Sequence, residues 1–176
     1  ARIRYLKTLP KLEEAAGYAT LTDTRFVATV ESGWVKSKQG GRIMAAGTTF
    51  VIPNTRVKPA PAEVDLIASG SLSAALSVLD EPPFRFISKA KLLTETIRGN
   101  ADVKAKFTFV LKKKLPPNEI KFQALGQITR FGSEALMPKH SLKSQKLTVV
   151  VDNRGMSLSG SGFLDTSAFD GTWQMQ

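Results

Sequence analysis

The feature that most constrains the fold is a period-two alternation of apolar and polar residues through the second half of the chain. The alternation runs through residues 103–111, 120–128, 146–151, 156–164 and 169–175, with Phe163 as an exception. Successive side chains of a β-strand point to opposite faces, so this period predicts strands with one apolar and one polar face. Turn-forming sequences separate these runs, among them Pro116-Pro117-Asn118 and Asn153-Arg154-Gly155. We therefore expect consecutive antiparallel strands.

Two short helices are predicted between the strand segments. Ser71 can cap the first, in which Leu72, Ala75, Leu76 and Leu79 repeat at helical spacing before Pro82-Pro83. We expect this helix to plug one end of the β-structure, with Leu76 buried. The second helix is predicted over residues 84–91, and a single helical turn is possible at residues 12–16.

The predicted fold class is mainly β, an antiparallel meander that forms a curled, half-open sandwich, taco-like in outline, with the two short helices as caps. The 176 residues suit a single β-rich domain, and a division into two repeat units at about 1–70 and 71–176 is the alternative. Residues 1–6 and 169–175 have extended patterns. We interpret the domain as a middle segment excised from a longer chain whose sheet continues at both ends.

Composition argues against an enzyme. The chain has no cysteine and a single histidine, His140, which lies in a polar segment with no carboxylate nearby in sequence. General acid–base or nucleophilic catalysis needs a positioned base with an orienting partner, so a surface histidine is the better interpretation. Gly160-x-Gly162 lacks the strand–turn–helix context of a dinucleotide loop. We expect no catalytic residues, no metal and no cofactor.

The net charge is +10, divided as +3 in residues 1–88 and +7 in residues 89–176. Six lysines concentrate it on the polar side of the predicted strands and in one turn: Lys104, Lys106, Lys112, Lys113, Lys114 and Lys121. Nucleic-acid-binding surfaces interleave aromatic and basic residues on one face, whereas here the alternation separates them. These lysines form a candidate rim for anionic lipid headgroups, and the alternative is a solvated face that prevents strand-edge association.

The apolar side of the predicted sheet must be buried against something. Its candidate lining residues are Val103, Phe107, Phe109, Phe122, Ile128, Val149, Leu158 and Trp173. A closed sandwich with a packed core is one solution. A partly open groove that accepts acyl chains is the other.

Several short motifs, in this order, resemble the AsmA-like family, the class that includes the YhdP and TamB proteins. They lie at residues 5–10, 17–21, 32–35, 68–70, 74–84, 99–101, 115–116 and 151–160. The most specific is the end of the first predicted helix, Leu79-Asp80-Glu81-Pro82-Pro83. The resemblance spans nearly the whole chain.

The resemblance implies a periplasmic location, in a parent protein anchored in the inner membrane by an N-terminal helix. It implies a non-enzymatic role in phospholipid transport or outer-membrane homeostasis through an apolar β-groove. The implied partners are a phospholipid or other envelope lipid and neighbouring repeats of the same chain, with no nucleic acid. The alternative function is a structural or protein-interaction β-sandwich module with a closed core.

Overall fold

The computed structural model describes residues 11–38, 40–80, 97–137 and 140–175. About 71% of these residues are in strands, which confirms a mainly β fold. A short 3₁₀ turn, Pro117–Glu119, precedes the seventh strand. The described elements are β1 Leu12–Thr22, β2 Arg25–Lys36, β3 Arg42–Met44, β4 Thr49–Ile52, β5 Pro61–Ser71, α1 Leu72–Leu79, β6 Ile97–Val110, β7 Lys121–Met137, β8 His140–Asp152, β9 Gly155–Leu164 and β10 Ser167–Met175.

All ten described strands belong to one antiparallel sheet. Its order is β1-β2-β3-β5-β6-β7-β8-β9-β10, and β4 pairs with both β2 and β5. From β5 onward, each strand lies beside the next strand of the chain, so the predicted antiparallel meander is confirmed. The longest described strand is β7, which continues well beyond the alternating segment that predicted it.

Short turns that contain aspartate or asparagine connect β1 to β2, β8 to β9 and β9 to β10. Asp23 and Asp165 occupy the β1–β2 and β9–β10 turns with φ of 48° and 54°. Aspartate tolerates this left-handed region better than most residues, because its short side chain can bond to the local backbone. These turns fix the register of each hairpin and therefore decide which side chains share a face.

The helix α1 begins where the sequence predicts. Ser71 is its N-cap, and the Ser71 hydroxyl accepts a hydrogen bond from the amide of Ala74 at 3.3 Å. Its most buried residues are Leu72, Ala74 and Ser77, whereas Leu76 is only partly buried and Leu79 is 43% exposed. The expectation of a buried Leu76 is therefore only partly met, because the helix turns the side of Leu72 and Ala74 toward the sheet.

The other two helical predictions have different outcomes. Residues 12–16 belong to β1 and are not a helical turn, since they pair with β2 despite an irregular register. The predicted helix over residues 84–91 lies outside the described residues.

Two clusters of buried apolar residues lie where α1 packs on the sheet. One contains Leu12, Val35, Ile43 and Ala74, and the other contains Leu72, Ile97, Ala101, Phe131 and Leu147. In the part of the chain that the structure describes, no large side chain is less than 2% exposed. The core is therefore thin and concentrated at the end of the sheet where α1 lies.

Candidate functional site

The strand registers place all eight candidate groove residues on one face of the sheet. Val103 is opposite Gly126, Gly126 is opposite Val149, Val149 is opposite Leu158, and Leu158 is opposite Trp173. Directly opposed residues of antiparallel strands point to the same side. One apolar row therefore crosses five strands, and we call the side that bears it the apolar face.

The remaining groove candidates flank this row on the same face. Phe107 is opposite Phe122, and their rings stack with centroids 6.0 Å apart. Ile128 is opposite Leu147, and Phe109 is opposite Ala62. The sequence pattern thus identified a set of residues that the fold does bring together.

The apolar face extends beyond the predicted set, from β4 to the edge strand β10. Further members on β4, β5, β8, β9 and β10 are Phe50, Val64, Leu66, Ala68, Val151, Met156, Phe169 and Met175. Most are only partly buried, and Trp173 and Met175 on β10 are 51% and 52% exposed. In the described part of the chain, the face is continuous and much of it remains accessible.

One end of this face is covered by α1. Leu72 packs with Ala101, Phe131 and Leu147, and partly buried Leu158 lies against the same cluster. The opposite end contains Phe107, Phe109 and Phe122, all partly exposed. Among the described elements, α1 packs against β3, β5 and β6, and each strand otherwise contacts mainly its hydrogen-bonded neighbours.

The six rim candidates form two groups. Lys104 and Lys106 lie mid-strand on β6, on the polar face, and Lys106 pairs with Glu63 at 3.1 Å. This hydrogen bond and the charge of Glu63 raise the pKa of Lys106 above its usual value. The second group lies at the uncovered end, with Lys112, Lys113 and Lys114 in the β6–β7 connection and Lys121 at the start of β7.

Within the second group the lysines differ in their contacts. Lys112 forms a salt bridge with Glu119 across the connection. In the described ranges, Lys113, Lys114 and Lys121 form no salt bridge, and all three are exposed. Three lysine charges beside the uncovered apolar end are therefore free to attract an anion.

A polar clamp joins the β8–β9 turn to the start of β7 at this same end. The Asn153 side chain accepts a hydrogen bond from the amide of Phe122 and donates one to the carbonyl of Ile120, both at 2.8 Å. Asp152 accepts from the amide and the guanidinium of Arg154, and these bonds lower the pKa of Asp152. A recess of about 270 Å³ lies between Phe122, Gln123 and these turn residues.

The clamp was not identified in the sequence. Asn153 was assigned only a turn role, and its partners lie 31 and 33 residues away in the chain. The pairing of β7 with β8 brings this turn beside Ile120, and the local sequence around Asn153 does not indicate that pairing.

His140 has a carboxylate partner that sequence proximity did not indicate. It is the first residue of β8, and its Nδ1 lies 2.6 Å from Oδ2 of Asp165 in the β9–β10 turn. Asp165 also accepts a hydrogen bond from the amide of Ser141 at 2.8 Å. Two hydrogen bonds lower the pKa of Asp165 below its usual value. The one with the His140 side chain has the larger effect, and the one from the Ser141 amide has the next largest.

This cluster contains the residue types of a Ser–His–Asp triad, but its hydrogen bonds do not connect them in the order serine to histidine to aspartate. The Ser141 hydroxyl donates to Asp165 Oδ1 at 3.4 Å, whereas a triad serine is hydrogen-bonded to the histidine. Both His140 and Asp165 are about half exposed, at 50% and 46%. The cluster therefore ties the start of β8 to the β9–β10 turn, and it lacks the geometry that activates a serine.

The link predicts a pH dependence of stability. Asp165→Asn should lower the free energy of unfolding at neutral pH, because it removes the charged acceptor of His140 and Ser141. A folded pKa below the ordinary value of 3.8 means that this stabilisation is present above pH 3.8 and is lost as the pH falls through the lowered value. Urea unfolding of both proteins across this acid range measures it. Asp102→Asn, on β6, serves as the control for loss of one negative charge, and a pH-independent difference between Asp165→Asn and the native chain would contradict the account.

No group of three or more histidine, aspartate or glutamate side chains that could hold a metal ion occurs in the described ranges. In the same residues, no helix is both long and apolar enough to cross a membrane. Comparisons with protein-family models, with curated proteins and with solved structures give no match.

Proposed function

We propose that this chain is a non-enzymatic lipid-binding segment of a periplasmic, inner-membrane-anchored AsmA-like protein. In this role it takes part in phospholipid transport or outer-membrane homeostasis, with acyl chains held on the apolar face. The sheet curls about this face to form the groove, in the taco-like form that the sequence pattern suggests. The family assignment rests on the sequence resemblance, and the lipid-binding role rests on the geometry of the face.

The observation that most supports lipid binding is the row from Val103 to Trp173. A soluble sheet normally buries such a row under a second layer. Here Val103, Val149 and Leu158 are only partly buried, and no second sheet lies over them in the described ranges. Each strand contributes apolar groups without hydrogen-bonding demands, which suits the variable positions of flexible acyl chains.

The two ends of the face suggest how a lipid is oriented. Because Leu72 and its cluster close one end, the acyl chains lie between that cluster and the open end at Phe107 and Phe122. The headgroup then lies near the β6–β7 connection, where Lys113 and Lys114 are exposed. Lysine ammonium groups attract lipid phosphates, and their aliphatic stems can lie along neighbouring apolar surface.

Adjacent valines on β8 test the face directly. Val149 belongs to the apolar face and Val150 to the opposite one, and both are partly buried. Val149→Gln should reduce the fraction of chain that retains phospholipid in native mass spectra, whereas Val150→Gln should leave it unchanged. Circular dichroism establishes that both variants fold. Equal losses in the two variants, or no bound phospholipid in the native chain, would overturn the proposal.

The lysines at the uncovered end give a second prediction. Replacing Lys113 and Lys114 together by serine should weaken binding to vesicles containing phosphatidylglycerol by roughly tenfold or more, at about 1 kcal/mol per basic residue. Vesicle co-sedimentation at low and high salt measures this loss.

The control for this double variant removes two lysines from the other end of the sheet, Lys143 and Lys146. Both are exposed residues of β8 and lie toward the end covered by α1. The control has the same net charge as the test variant, so it should retain most of the binding. An equal loss in both variants would show that total charge, rather than the lysines beside the apolar face, determines binding.

A further inference from the structure

The connections at the uncovered end of the apolar face carry half of the net charge of the chain. Taken with the strand ends that flank them, the four described connections at this end span residues 22–25, 53–60, 111–121 and 152–155. They contain eight basic and three acidic residues, which gives +5 of the total +10. The β9–β10 turn, at the opposite end, contains Asp165 and no basic residue. The electrostatic field therefore steers an anionic surface toward the uncovered end.

Two of these connections present an exposed apolar side chain among the cations. Val57 is 47% exposed and lies between Arg56 and Lys58, which are also exposed. Leu111 is 40% exposed and is followed directly by the three lysines of the β6–β7 connection. Segments that bind at a membrane interface combine apolar side chains that enter it with basic side chains that remain at the headgroups.

Backbone hydrogen bonds join neighbouring connections to one another. The amide of Leu111 donates to the carbonyl of Ala60 at 2.8 Å, and the amide of Thr55 donates to the carbonyl of Thr24 at 2.7 Å. The polar clamp at Asn153 joins the fourth connection to the start of β7. All four connections lie between strands of the described sheet, so the surface that they form does not depend on either edge strand.

We propose that these four connections form a docking surface for an anionic phospholipid bilayer. Val57 and Leu111 enter the bilayer interface, and the surrounding basic side chains contact lipid phosphates. In the described ranges, six of the eight basic residues form no salt bridge that would compete with these contacts: Arg25, Arg56, Lys58, Lys113, Lys114 and Lys121. A nucleic acid would attract the same charges but would leave Val57 and Leu111 without an apolar environment, which favours the bilayer.

Docking at this end places the open part of the apolar face against the bilayer. Phe107 and Phe109 precede Leu111 at alternate positions of the chain, so apolar side chains continue from the face to the docking surface. An acyl chain can then pass between the bilayer and the face without crossing water. This transfer rests on the proposed function, whereas the docking surface does not.

The absence of cysteine allows single labels to be placed on the docking surface. Val57→Cys, Leu111→Cys and Thr166→Cys each take one nitrobenzoxadiazole label, and Thr166 is the control because it is exposed in the β9–β10 turn at the opposite end. With vesicles containing phosphatidylglycerol, the emission of the first two labels should shift to shorter wavelength and be quenched by spin-labelled lipid. The third label should show neither effect. No shift in the first two labels, or an equal shift in all three, would overturn the docking surface.

Removal of the two apolar side chains gives a second test. Val57→Ser combined with Leu111→Ser should weaken binding to the same vesicles roughly ten- to hundredfold, because less apolar area enters the interface. The matched control combines Ile67→Ser with Leu125→Ser, which are 41% and 43% exposed on the polar face, and it should leave binding unchanged. Vesicle co-sedimentation measures binding, and circular dichroism establishes that both variants fold. Equal losses in the two double variants would overturn insertion at the connections.

The outcomes separate bilayer docking from lipid binding on the apolar face. Phospholipid retained in native mass spectra without a shift in the labels at Val57→Cys and Leu111→Cys would overturn docking and leave the proposed function intact. Shifts in these labels without retained phospholipid would support docking and overturn the proposed function. Binding to duplex DNA that is as strong as binding to vesicles, and equally weakened by the two serine substitutions at Val57 and Leu111, would overturn a bilayer as the partner.

Discussion

Replacing Leu72 by alanine is expected to lower the free energy of unfolding by about 2–5 kcal/mol, the range for a buried leucine that leaves a cavity. Leu72 is 4% exposed and packs with Ile97, Ala101, Phe131 and Leu147, which come from three strands. A helix of eight residues is too short to be stable alone, so these contacts hold it on the sheet. Chemical denaturation monitored by circular dichroism measures the loss.

Leu79→Ala is the matched control in the same helix. Leu79 is 43% exposed, so its replacement should change the free energy of unfolding by less than about 1 kcal/mol. If both substitutions have the same small effect, α1 is not held by the cluster around Leu72. In that case the end of the apolar face would not be closed as described.

Gly160→Ala should destabilise the fold by roughly 2–6 kcal/mol, through backbone strain and overpacking of about 1–3 kcal/mol each. Gly160 has a φ of 151°, and a Cβ there would lie 2.7 Å from the carbonyl oxygen of Lys146 and 2.8 Å from a methyl carbon of Leu147. The close approach occurs where the β8–β9 register shifts between Lys143 and Lys146. Thermal and denaturant unfolding both measure the effect.

Gly171 is the appropriate control, because it is directly opposite Gly160 across the β9–β10 pair. A Cβ at Gly171 would meet no atom within 4 Å. Gly171→Ala should therefore leave the stability within about 1 kcal/mol of the native chain, measured at low protein concentration. Similar losses for the two glycines would show that the backbone approach at Gly160 does not constrain the sheet.

The alternation of side chains was sufficient to predict the apolar face. It depends only on the geometry of a strand, and Phe107, Phe122 and Val149 each lie where the period of two places them. The helix α1 was also predictable, since Ser71 provides a cap and Leu72 begins the apolar spacing. These are local signals, and pairing between neighbouring strands of a meander preserves them.

What the sequence did not reveal depends on contacts between distant residues. Asp165 reaches His140 only because β8 pairs with β9, which brings the start of β8 beside the end of β9. Asn153 reaches Ile120 only because β8 pairs with β7. The β1 strand was misassigned at residues 12–16, because its register is irregular and its alternation is interrupted. The relative burial of Leu72 and Leu76 depends on how the helix is rotated against the sheet, which helical spacing alone does not determine.

Residue-resolved photo-cross-linking with a diazirine-labelled phospholipid can show whether lipid contacts the apolar face. We expect labelling of apolar-face residues on β6, β7 and β8, namely Phe107, Phe122 and Val149, with little labelling of their neighbours Thr108, Gln123 and Val150. Labelling that stops short of the cluster around Leu72 would further support the proposed orientation. No labelling, or equal labelling of both faces, would contradict an open lipid-binding face and favour a closed structural module.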